Sequence, residues 1–411
     1  MPDQQLRILQ VTATSVGGAW FHDQVTGLAR LGHTVHAVLP GAGPLPDRLR
    51  AAGIPVEIIS FRGKRLHQLP RVTAAELRLL RLIRAFRPDV IHAHLLKAVM
   101  SCRLATLGYR PALRVTQMPG VVHLHSPLLR WLDKSTLSRD DVVIGSCRAI
   151  ADRYRAMGAR TVAVSYYGCD VHTFDPLTSG AGFRQEFGLA DGTPTVGMVA
   201  HMYPTRLRAF QETGVKGHEV FLDAALLILQ RVPDVHLFVV GDELVGDGDY
   251  RQCLEARAAA LGLSRSVHFT GHRSDIAAVL AGLDVVVNPS IEESASYTMV
   301  EALLMEKGVV ASDVGGLPDT VQHGQTGLLV PPADPAALAA AVTELLADAS
   351  RRHEMGRRGR DHCLRQFDIN ATVASVQAVY LQALQDSERT CRRTRPGRAD
   401  PQRSAASRQG W

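Results

Sequence analysis

Short runs rich in β-branched residues alternate with segments of helical periodicity along most of this chain, and this alternation occurs twice. In the first half it predicts strands at Leu6–Thr12, Thr34–Leu39, Val56–Ile59, Val90–His92, Arg114–Thr116, Val142–Ser146 and Thr161–Ser165. A break at 168–194 follows, after which the pattern predicts strands at Thr195–Ala200, Val235–Gly241, Val267–Thr270, Val285–Val287, Val309–Ser312 and Gly327–Val330. Strands that alternate with helices form parallel sheets. We therefore expect two α/β domains of similar size, with a ligand site in the cleft between them.

The predicted boundaries divide the chain into four parts. Residues 1–180 form the first domain and residues 181–365 the second. Residues 366–387 are predicted to form a further helix that crosses back to the first domain, because apolar residues such as Val373, Val376 and Tyr380 repeat at helical spacing. Residues 388–411 are rich in Arg, Ser and Pro without apolar periodicity, which predicts a disordered tail.

The net charge of +6 is unevenly distributed. The tail from Glu388 onward holds seven Arg against two acidic residues, so the rest of the chain is close to neutral. A neutral body argues against a nucleic-acid-binding protein. The six Cys include no Cys-x-x-Cys pair, which indicates buried thiols in a reducing compartment. Since no signal peptide or apolar run of membrane-spanning length is visible, we expect a cytoplasmic protein.

A basic stripe marks the predicted helix Ala74–Phe86, where Arg78, Arg81 and Arg84 repeat every third residue. A solvated helix surface is the favoured interpretation. The alternative is peripheral contact with an anionic membrane on its inner face, to which the Arg-rich tail adds attraction.

Two glutamates, Glu293 and Glu301, bracket seven residues between a predicted strand end at Asn288-Pro289-Ser290 and an apolar helix. A helix N-terminus offers unpaired N–H groups to phosphate, and carboxylates accept hydrogen bonds from sugar hydroxyls. This stretch therefore predicts a site for a sugar that carries a diphosphate.

A series of short motifs resembles the GT-B, retaining glycosyltransferases of the family-4 type over roughly residues 6–385. In order, the motifs are Gly17-Gly18, Leu31-Gly32-His33-Thr34-Val35, Pro88-Asp89-Val90-Ile91-His92-Ala93-His94, Tyr167-Gly168-Cys169-Asp170-Val171-His172-Thr173-Phe174-Asp175-Pro176, Lys216-Gly217, Val240-Gly241-Asp242, Leu261-Gly262-Leu263 with Phe269-Thr270-Gly271, the Glu293/Glu301 stretch, Gly315-Gly316-Leu317-Pro318-Asp319 and Gly327-Leu328-Leu329-Val330. Each motif is weak alone, but the ordered set is specific.

The resemblance implies a GT-B fold, in which two Rossmann-like domains face a central cleft. It also implies transfer of a sugar from a nucleotide sugar, a UDP- or GDP-sugar being expected, to an unidentified acceptor such as a glycan, a lipid-linked saccharide or a small metabolite. The C-terminal domain would bind the donor and the N-terminal domain the acceptor. No cofactor and no metal are expected, since helix N-termini and basic side chains meet the diphosphate charge.

The resemblance assigns roles to the glutamates and to the loop between them. Glu301 would bind the donor ribose, although Thr298-x-x-Glu301 is also a helix capping box. Glu293 would lie beside the donor hexose, the alternative being a surface carboxylate. Family members often have Gly-Phe-Gly after this Glu, whereas this chain has Ser-Ala-Ser, so the N–H groups from Ser296 through Tyr297 to Thr298 would bind phosphate.

Cations and glycines complete the site that the resemblance implies. Lys216 would neutralise the diphosphate, with Arg206 as the second cation. Gly17 and Gly18 would bring a backbone N–H to the β-phosphate, and Arg273 would lie near the donor base.

A catalytic His is common in the family two residues after a Thr, but Thr116-Gln117-Met118 lacks it, and His123 is the candidate replacement.

Alternative chemistries are weaker. His92/His94 and His123/His125 are His-x-His pairs, yet no carboxylate or Cys stands beside them at metal-ligand spacing. Asp247-Gly248-Asp249 is interpreted as a turn. The altered loop and the missing His leave two further functions open, a non-catalytic nucleotide-sugar-binding subunit and a GT-B epimerase or hydrolase.

Overall fold

The computed structural model describes residues 4–61, 69–107, 109, 111–203, 214–243 and 248–394. The strands are β1 (Arg7–Thr12), β2 (Thr34–Leu39), β3 (Val56–Ile58), β4 (Val90–His94), β5 (Leu113–Met118), β6 (Val142–Gly145), β7 (Val162–Val164), β8 (Thr195–Val199), β9 (His236–Val240), β10 (Val267–Gly271), β11 (Val285–Asn288), β12 (Gly308–Ser312) and β13 (Leu328–Val330). The helices are α1 (Ala19–Arg30), α2 (Pro44–Ala51), α3 (Leu69–Phe86), α4 (Leu96–Ala105), α5 (Pro127–Thr136), α6 (Arg148–Met157), α7 (Ala181–Glu186), α8 (His218–Arg231), α9 (Asp249–Ala260), α10 (Ile276–Gly282), α11 (Tyr297–Leu304), α12 (Leu317–Thr320), α13 (Pro335–Ala347), α14 (Ala349–Gln366) and α15 (Ile369–Thr394), with 3₁₀ turns at Val122–His125 and Leu137–Arg139.

Two parallel sheets organise the chain, as the alternation of patterns predicts. The first has the strand order β3-β2-β1-β4-β5-β6-β7 and the second the order β10-β9-β8-β11-β12-β13. All ladders between these strands are parallel. Helices cover the sheets on both faces, so the central strands are buried along their length and their sequences are continuous apolar runs.

The strand order reverses at equivalent places in the two sheets, between β1 and β4 in the first sheet and between β8 and β11 in the second. A crevice forms at the carboxyl ends of the strands where such an order reverses, and open α/β sheets bind ligands there. The loops that follow β1, β8 and β11 are therefore placed to meet across the cleft. The two-domain α/β fold is the one expected from the sequence.

The last helix returns to the first domain. Residues Ile369, Val373, Val376 and Tyr380 of α15 belong to the apolar core that α1 and α2 build on one face of the first sheet. The approach of α15 to α1 is close, since a Cβ placed on Gly27 would lie 2.6 Å from Val373. The carboxyl-terminal part of the chain therefore fastens the two domains together.

The tail differs from the prediction at its beginning. Helix α15 continues to Thr394, so residues 388–394 are helical rather than disordered. Helix propensity explains the extension, because Glu388, Arg389 and Arg392 favour a helix and the first Pro beyond the predicted boundary is Pro396. Residues 395–411 lie outside the described part of the chain. Within the described part, no helix combines the length and apolarity needed to cross a lipid bilayer.

Candidate active site

A cavity of about 660 Å³ lies between the domains at the carboxyl ends of both sheets. Its walls are built from loops that follow β1, β8, β9, β10 and β11 and from the ends of α2 and α11. Eight of the predicted site residues line this cavity, namely Gly17, Gly18, Lys216, Arg273, Ser296, Tyr297, Thr298 and Glu301. The structure thus gathers residues that are far apart in sequence, and their roles at the donor stay predictions.

The glycine turn forms the wall from the N-terminal domain. Gly17 and Gly18 have positive φ angles of 67° and 71°, which side chains other than glycine rarely adopt. Gly18 is the N-cap residue of α1, so the turn leads the chain directly from β1 into this helix. The N-terminus of α1 consequently faces the cavity with its backbone N–H groups.

Helix α11 faces the glycine turn from the other domain. Its N-cap is Ser296, whose hydroxyl accepts a hydrogen bond from the Met299 N–H at 3.3 Å. The Asn288 side chain donates to the same hydroxyl at 2.8 Å and fixes it. Because Ser296 rather than Thr298 is the cap, Glu301 does not occupy the capping-box position, and that alternative for Glu301 is wrong.

Glu301 projects from the second turn of α11 into the cavity. None of the described side chains forms an ion pair with its carboxylate. Burial raises the pKa of Glu301 to about 7. A desolvated acid without a fixed partner in a cleft is typical of a group that meets a ligand.

Glu293 lies in a different environment, buried with 8% of its surface exposed. Its carboxylate accepts a hydrogen bond from the Lys216 ammonium at 2.5 Å and another from the Ser290 hydroxyl at 3.3 Å. The interpretation of Glu293 as a surface carboxylate is therefore wrong. Backbone packing holds the loop in place, since a Cβ on Gly315 would collide with the Glu293 carbonyl oxygen.

Lys216 is held beside this loop by the residue that follows it. Gly217 has a positive φ of 75° and caps α8, and a Cβ there would lie 2.0 Å from the Pro289 carbonyl oxygen. Only glycine permits this approach between the start of α8 and the end of β11. As a result, the Lys216 ammonium bridges the cavity and the buried Glu293 carboxylate.

A second, smaller cavity of about 270 Å³ is lined by Glu293. It is lined by His125 and Arg153 from the N-terminal domain and by Glu292 and Glu293 from the C-terminal domain. His125 and Glu292 pair across the domain boundary at 2.7 Å. Glu293 therefore lines the smaller cavity and not the large one, to which it is connected through the Lys216 ammonium. The smaller cavity is lined in part by the N-terminal domain, where the resemblance places the acceptor.

His123 takes a position away from the large cavity. Its ring contacts the buried Asp133 carboxylate at 3.1 Å. The same carboxylate pairs with the Arg103 guanidinium at 2.8 Å and accepts a hydrogen bond from the Tyr154 hydroxyl at 2.7 Å. This network joins α4, α5 and α6 within the N-terminal domain. His123 does not line the large cavity, so the structure does not bring this predicted replacement to the donor residues. Met118, at the position where the family commonly has His, is buried.

Arg273 lines the cavity while its guanidinium pairs with Glu186 at 2.8 Å and with Asp275 at 2.7 Å. These two carboxylates neutralise it and fix its orientation. Arg206, the second predicted cation, lies outside the described residues. So does Asp247, the first residue of the predicted turn.

The His-x-His pair His92/His94 is buried on β4. Burial lowers the pKa of His92 to about 3, which keeps its ring neutral. His92 pairs with the Tyr380 hydroxyl at 2.6 Å and His94 with the Gln10 side chain at 2.8 Å. Among the residues that the structure describes, no group of three His, Cys, Asp or Glu side chains is arranged to hold a metal ion.

Four further residues with ionisable side chains line the cavity, and sequence reasoning did not assign them to the site. They are Arg48, His201, Tyr203 and His272. His201 and His272 follow the ends of β8 and β10, so their position after predicted strands was the signal that could have found them. Burial, with His272 and Lys216 nearby, lowers the pKa of His201. Arg48 comes from α2, which the sequence reading did not delimit.

Comparison with known protein families gives two matches that together cover well over half of the chain. Residues 17–168 match the model described as "Glycosyl transferase 4-like domain", and residues 203–348 match that described as "Glycosyl transferases group 1". The first match covers most of the domain that contributes the glycine turn, and the second covers Lys216, Glu293 and Glu301.

Relatives and solved structures agree with these matches. The chain is 28% identical over 369 residues to a D-inositol 3-phosphate glycosyltransferase of Corynebacterium urealyticum, covering 82% of this chain and 84% of the relative. It is 28% identical to an alpha-maltose-1-phosphate synthase of Mycolicibacterium smegmatis, covering 68% and 75%. The crystal structure of Anabaena Alr3699/HepE in complex with UDP and glucose superposes with a TM-score of 0.77 at 25% identity, covering 91% of this chain and 99% of that protein.

Proposed function

Because this chain belongs to the GT-B glycosyltransferases of the family-4 type, we propose that it transfers a sugar from a nucleoside diphosphate donor with retention of anomeric configuration. The relatives are named as transferring enzymes, which favours a transferase over the binding-subunit and epimerase alternatives.

One observation carries the donor assignment. Two helix N-termini, those of α1 and α11, and the Lys216 ammonium face the same cavity from the two domains. Each of these groups favours phosphate oxygens. Their convergence matches a diphosphate that lies across the cleft, with Glu301 free to accept hydrogen bonds from ribose hydroxyls. The cavity volume of about 660 Å³ is within the usual range for ligand sites.

We expect the donor to be a UDP- or GDP-sugar. A protein with the same fold, Anabaena Alr3699/HepE, has been crystallised with UDP and glucose, which supports a uridine nucleotide as the first candidate. The acceptor would enter through the smaller cavity beside Glu293, where Arg153 offers nitrogen donors. The named relatives include enzymes for phosphorylated small molecules, and such a molecule is one acceptor class to test.

The proposed reaction needs positioning and charge stabilisation rather than a strong protein base. The bond between the anomeric carbon and the diphosphate oxygen breaks, and the acceptor oxygen forms its bond on the same face of the sugar. The acceptor proton passes to the leaving diphosphate. Lys216 and the backbone N–H groups of Gly18 and Thr298 would stabilise the charge that develops on the diphosphate, each being worth about 3 kcal/mol in the transition state.

Since the cleft supplies its own positive groups, we propose that the transfer requires no metal ion. Treatment with EDTA followed by desalting should leave the rate unchanged. A rate that falls and returns with added Mg²⁺ or Mn²⁺ would contradict this part of the proposal.

A thermal-shift screen with UDP, GDP, ADP and TDP and their sugars tests the donor assignment. A ligand present at 100 times its Kd should raise the free energy of unfolding by about 2.7 kcal/mol. Nuclear magnetic resonance of the product formed with a panel of acceptors then reports whether the anomeric configuration is retained. Absence of stabilisation by any nucleoside diphosphate would overturn the proposal.

A further inference from the structure

Exposed apolar side chains are concentrated on one side of the N-terminal domain. Helices α3, α4 and α5 lie on the same face of the first sheet, and α4 packs against both of its neighbours. We call their exposed sides, together with the 3₁₀ turn before α5, the α3–α5 face. The large apolar residues it exposes are Leu77, Leu104, Val122, Leu128, Leu129 and Trp131, with Leu107 directly after α4. These are more than half of the large apolar residues that the described part of the chain exposes, and they come from neighbouring helices and the turns beside them. Such a concentration of exposed apolar residues is typical of an interaction surface.

Helix α5 contacts the domain through polar side chains and exposes its large apolar ones. Its inward side carries Asp133 and Thr136, which bind Arg103 of α4. Trp131 lies on the opposite side, 63% exposed, and Leu128, one turn earlier on the same side, is 64% exposed. The helix is therefore held to the domain by polar contacts, while its large apolar side chains point into solvent.

The charges on the face all have one sign. Every exposed charged side chain that the structure describes on the three helices is basic, namely Arg78, Arg81, Arg84, Lys97, Arg130 and Lys134. The acidic residues described there, Glu76 and Asp133, are not exposed, and Arg78 pairs with Glu57 of β3. Arg130 and Lys134 flank Trp131 on α5, so apolar and basic groups occupy the same surface.

We propose that the α3–α5 face docks on an anionic lipid surface. Basic side chains interleaved with Trp and Leu on an exposed helix are the composition that binds the interface of an anionic membrane. A second copy of this chain is a poorer occupant, because a two-fold contact would bring the same positive patch against itself. The sequence pattern of α3 by itself suggested membrane contact only as an alternative, and α5 supplies the apolar component that α3 lacks.

The position of the face relative to the cleft gives the docking a consequence. The 3₁₀ turn that precedes α5 carries His125, which pairs with Glu292 beside the smaller cavity. Docking through α5 would hold this side of the cleft close to the membrane. The docking itself does not depend on the proposed transferase reaction, and its test uses neither donor nor acceptor.

Co-sedimentation of the full chain with lipid vesicles tests the proposal. Vesicles of phosphatidylcholine mixed with phosphatidylglycerol are compared with vesicles of phosphatidylcholine alone, at low and at high salt. We expect binding to the mixed vesicles that weakens with salt. The double variant Leu128→Ser/Trp131→Ser should lower the partition coefficient about tenfold or more, and Arg130→Gln/Lys134→Gln should lower it about fivefold for each charge.

Leu177→Ser is the matched control, since Leu177 is the most exposed large apolar residue described and lies outside the face. It should bind as the unaltered chain does. Equal binding by the Leu128/Trp131 variant would overturn the proposal and indicate that the Arg-rich tail is responsible. Equal binding to neutral vesicles would also overturn it, and so would a dimer in sedimentation velocity that the same variant abolishes, since the face would then be a contact between copies.

Discussion

The loop that carries Glu293 and the helix that carries Glu301 are separated by seven residues, yet their carboxylates lie in opposite electrostatic environments. Glu293 is buried against the Lys216 ammonium at 2.5 Å and has hydroxyl and backbone donors around it. Glu301 faces the cavity with no ion-pair partner among the described residues, and burial raises its pKa to about 7. One carboxylate is thus already committed to a protein cation, while the other is available to a ligand.

The comparison suggests different contributions to function. Glu293 would set the position and charge of Lys216 and so affect the transfer step. Glu301 would gain its hydrogen bonds only when the donor binds, and so affect donor affinity. Variants of these residues and changes of pH test this division.

The largest effect is expected for Lys216→Met. The variant removes the cation from the diphosphate site, and we expect kcat to fall by about 10²–10³-fold. It also leaves the buried Glu293 carboxylate unpaired, which should lower the free energy of unfolding by roughly 3 kcal/mol or more. Steady-state kinetics and urea unfolding measure the two effects.

The double variant Lys216→Met/Glu293→Gln separates these two roles of Lys216. It should recover most of the stability, because no unpaired charge remains, but not the activity. Recovery of both would show that Lys216 acts only through folding.

Glu293→Gln alone is expected to have the next largest effect on activity. The amide keeps the shape of the side chain but cannot neutralise Lys216, so we expect kcat to fall by about 100-fold while the donor Kd changes little. Isothermal titration with the donor nucleotide measures the Kd. Glu344→Gln is the control, since Glu344 also pairs with a cation, Arg351, but lines neither cavity. A weakened donor with normal turnover would contradict the assignment of Glu293.

Sequence reasoning located most of the strands within one or two residues, because parallel strands buried on both faces are continuous apolar runs. It also named eight of the residues that line the large cavity. It could not find the Lys216–Glu293 ion pair, because the partners lie on two different loops that are 77 residues apart. Ser296 and Thr298 both precede the apolar run of α11, and only the fold decides which of them caps it. His123 is held away from the large cavity by its contact with Asp133 on α5, and only the fold reveals this contact.

The pH dependence of stability should report the burial of Glu301. The folded-state pKa of Glu301 is raised from 4.5 to about 7, so the native state binds more protons than the unfolded state between these values. The free energy of unfolding should therefore fall as pH rises from about 4.5 to about 7, by roughly 3 kcal/mol, and then level off. Thermal or urea unfolding across this range measures the slope, and Glu301→Gln should remove this contribution. An unchanged slope in the variant would show that Glu301 is not its source.

Donor affinity should respond to Glu301 in the complementary direction. Glu301→Ala removes the acceptor proposed for the ribose hydroxyls, so the Kd for the nucleoside diphosphate should rise about tenfold, with kcat at saturating donor less affected. In the unaltered protein the affinity should weaken as pH falls below about 7, because protonation removes the charge from the acceptor. Isothermal titration at several pH values gives both results. The same Kd in the alanine variant would place the ribose elsewhere.

The smallest effect concerns the cap of α11 and tests whether Glu301 is free of a structural role. Ser296→Ala removes the hydroxyl that accepts from the Met299 N–H, and we expect a loss of about 1 kcal/mol in the free energy of unfolding. Thr298→Ala should cost less, because Thr298 lies inside the helix and does not cap it. If Thr298→Ala were the more destabilising variant and Glu301→Ala matched it, the two side chains would form a capping box in solution. Glu301 would then be engaged by its own helix, and the contrast with Glu293 would disappear.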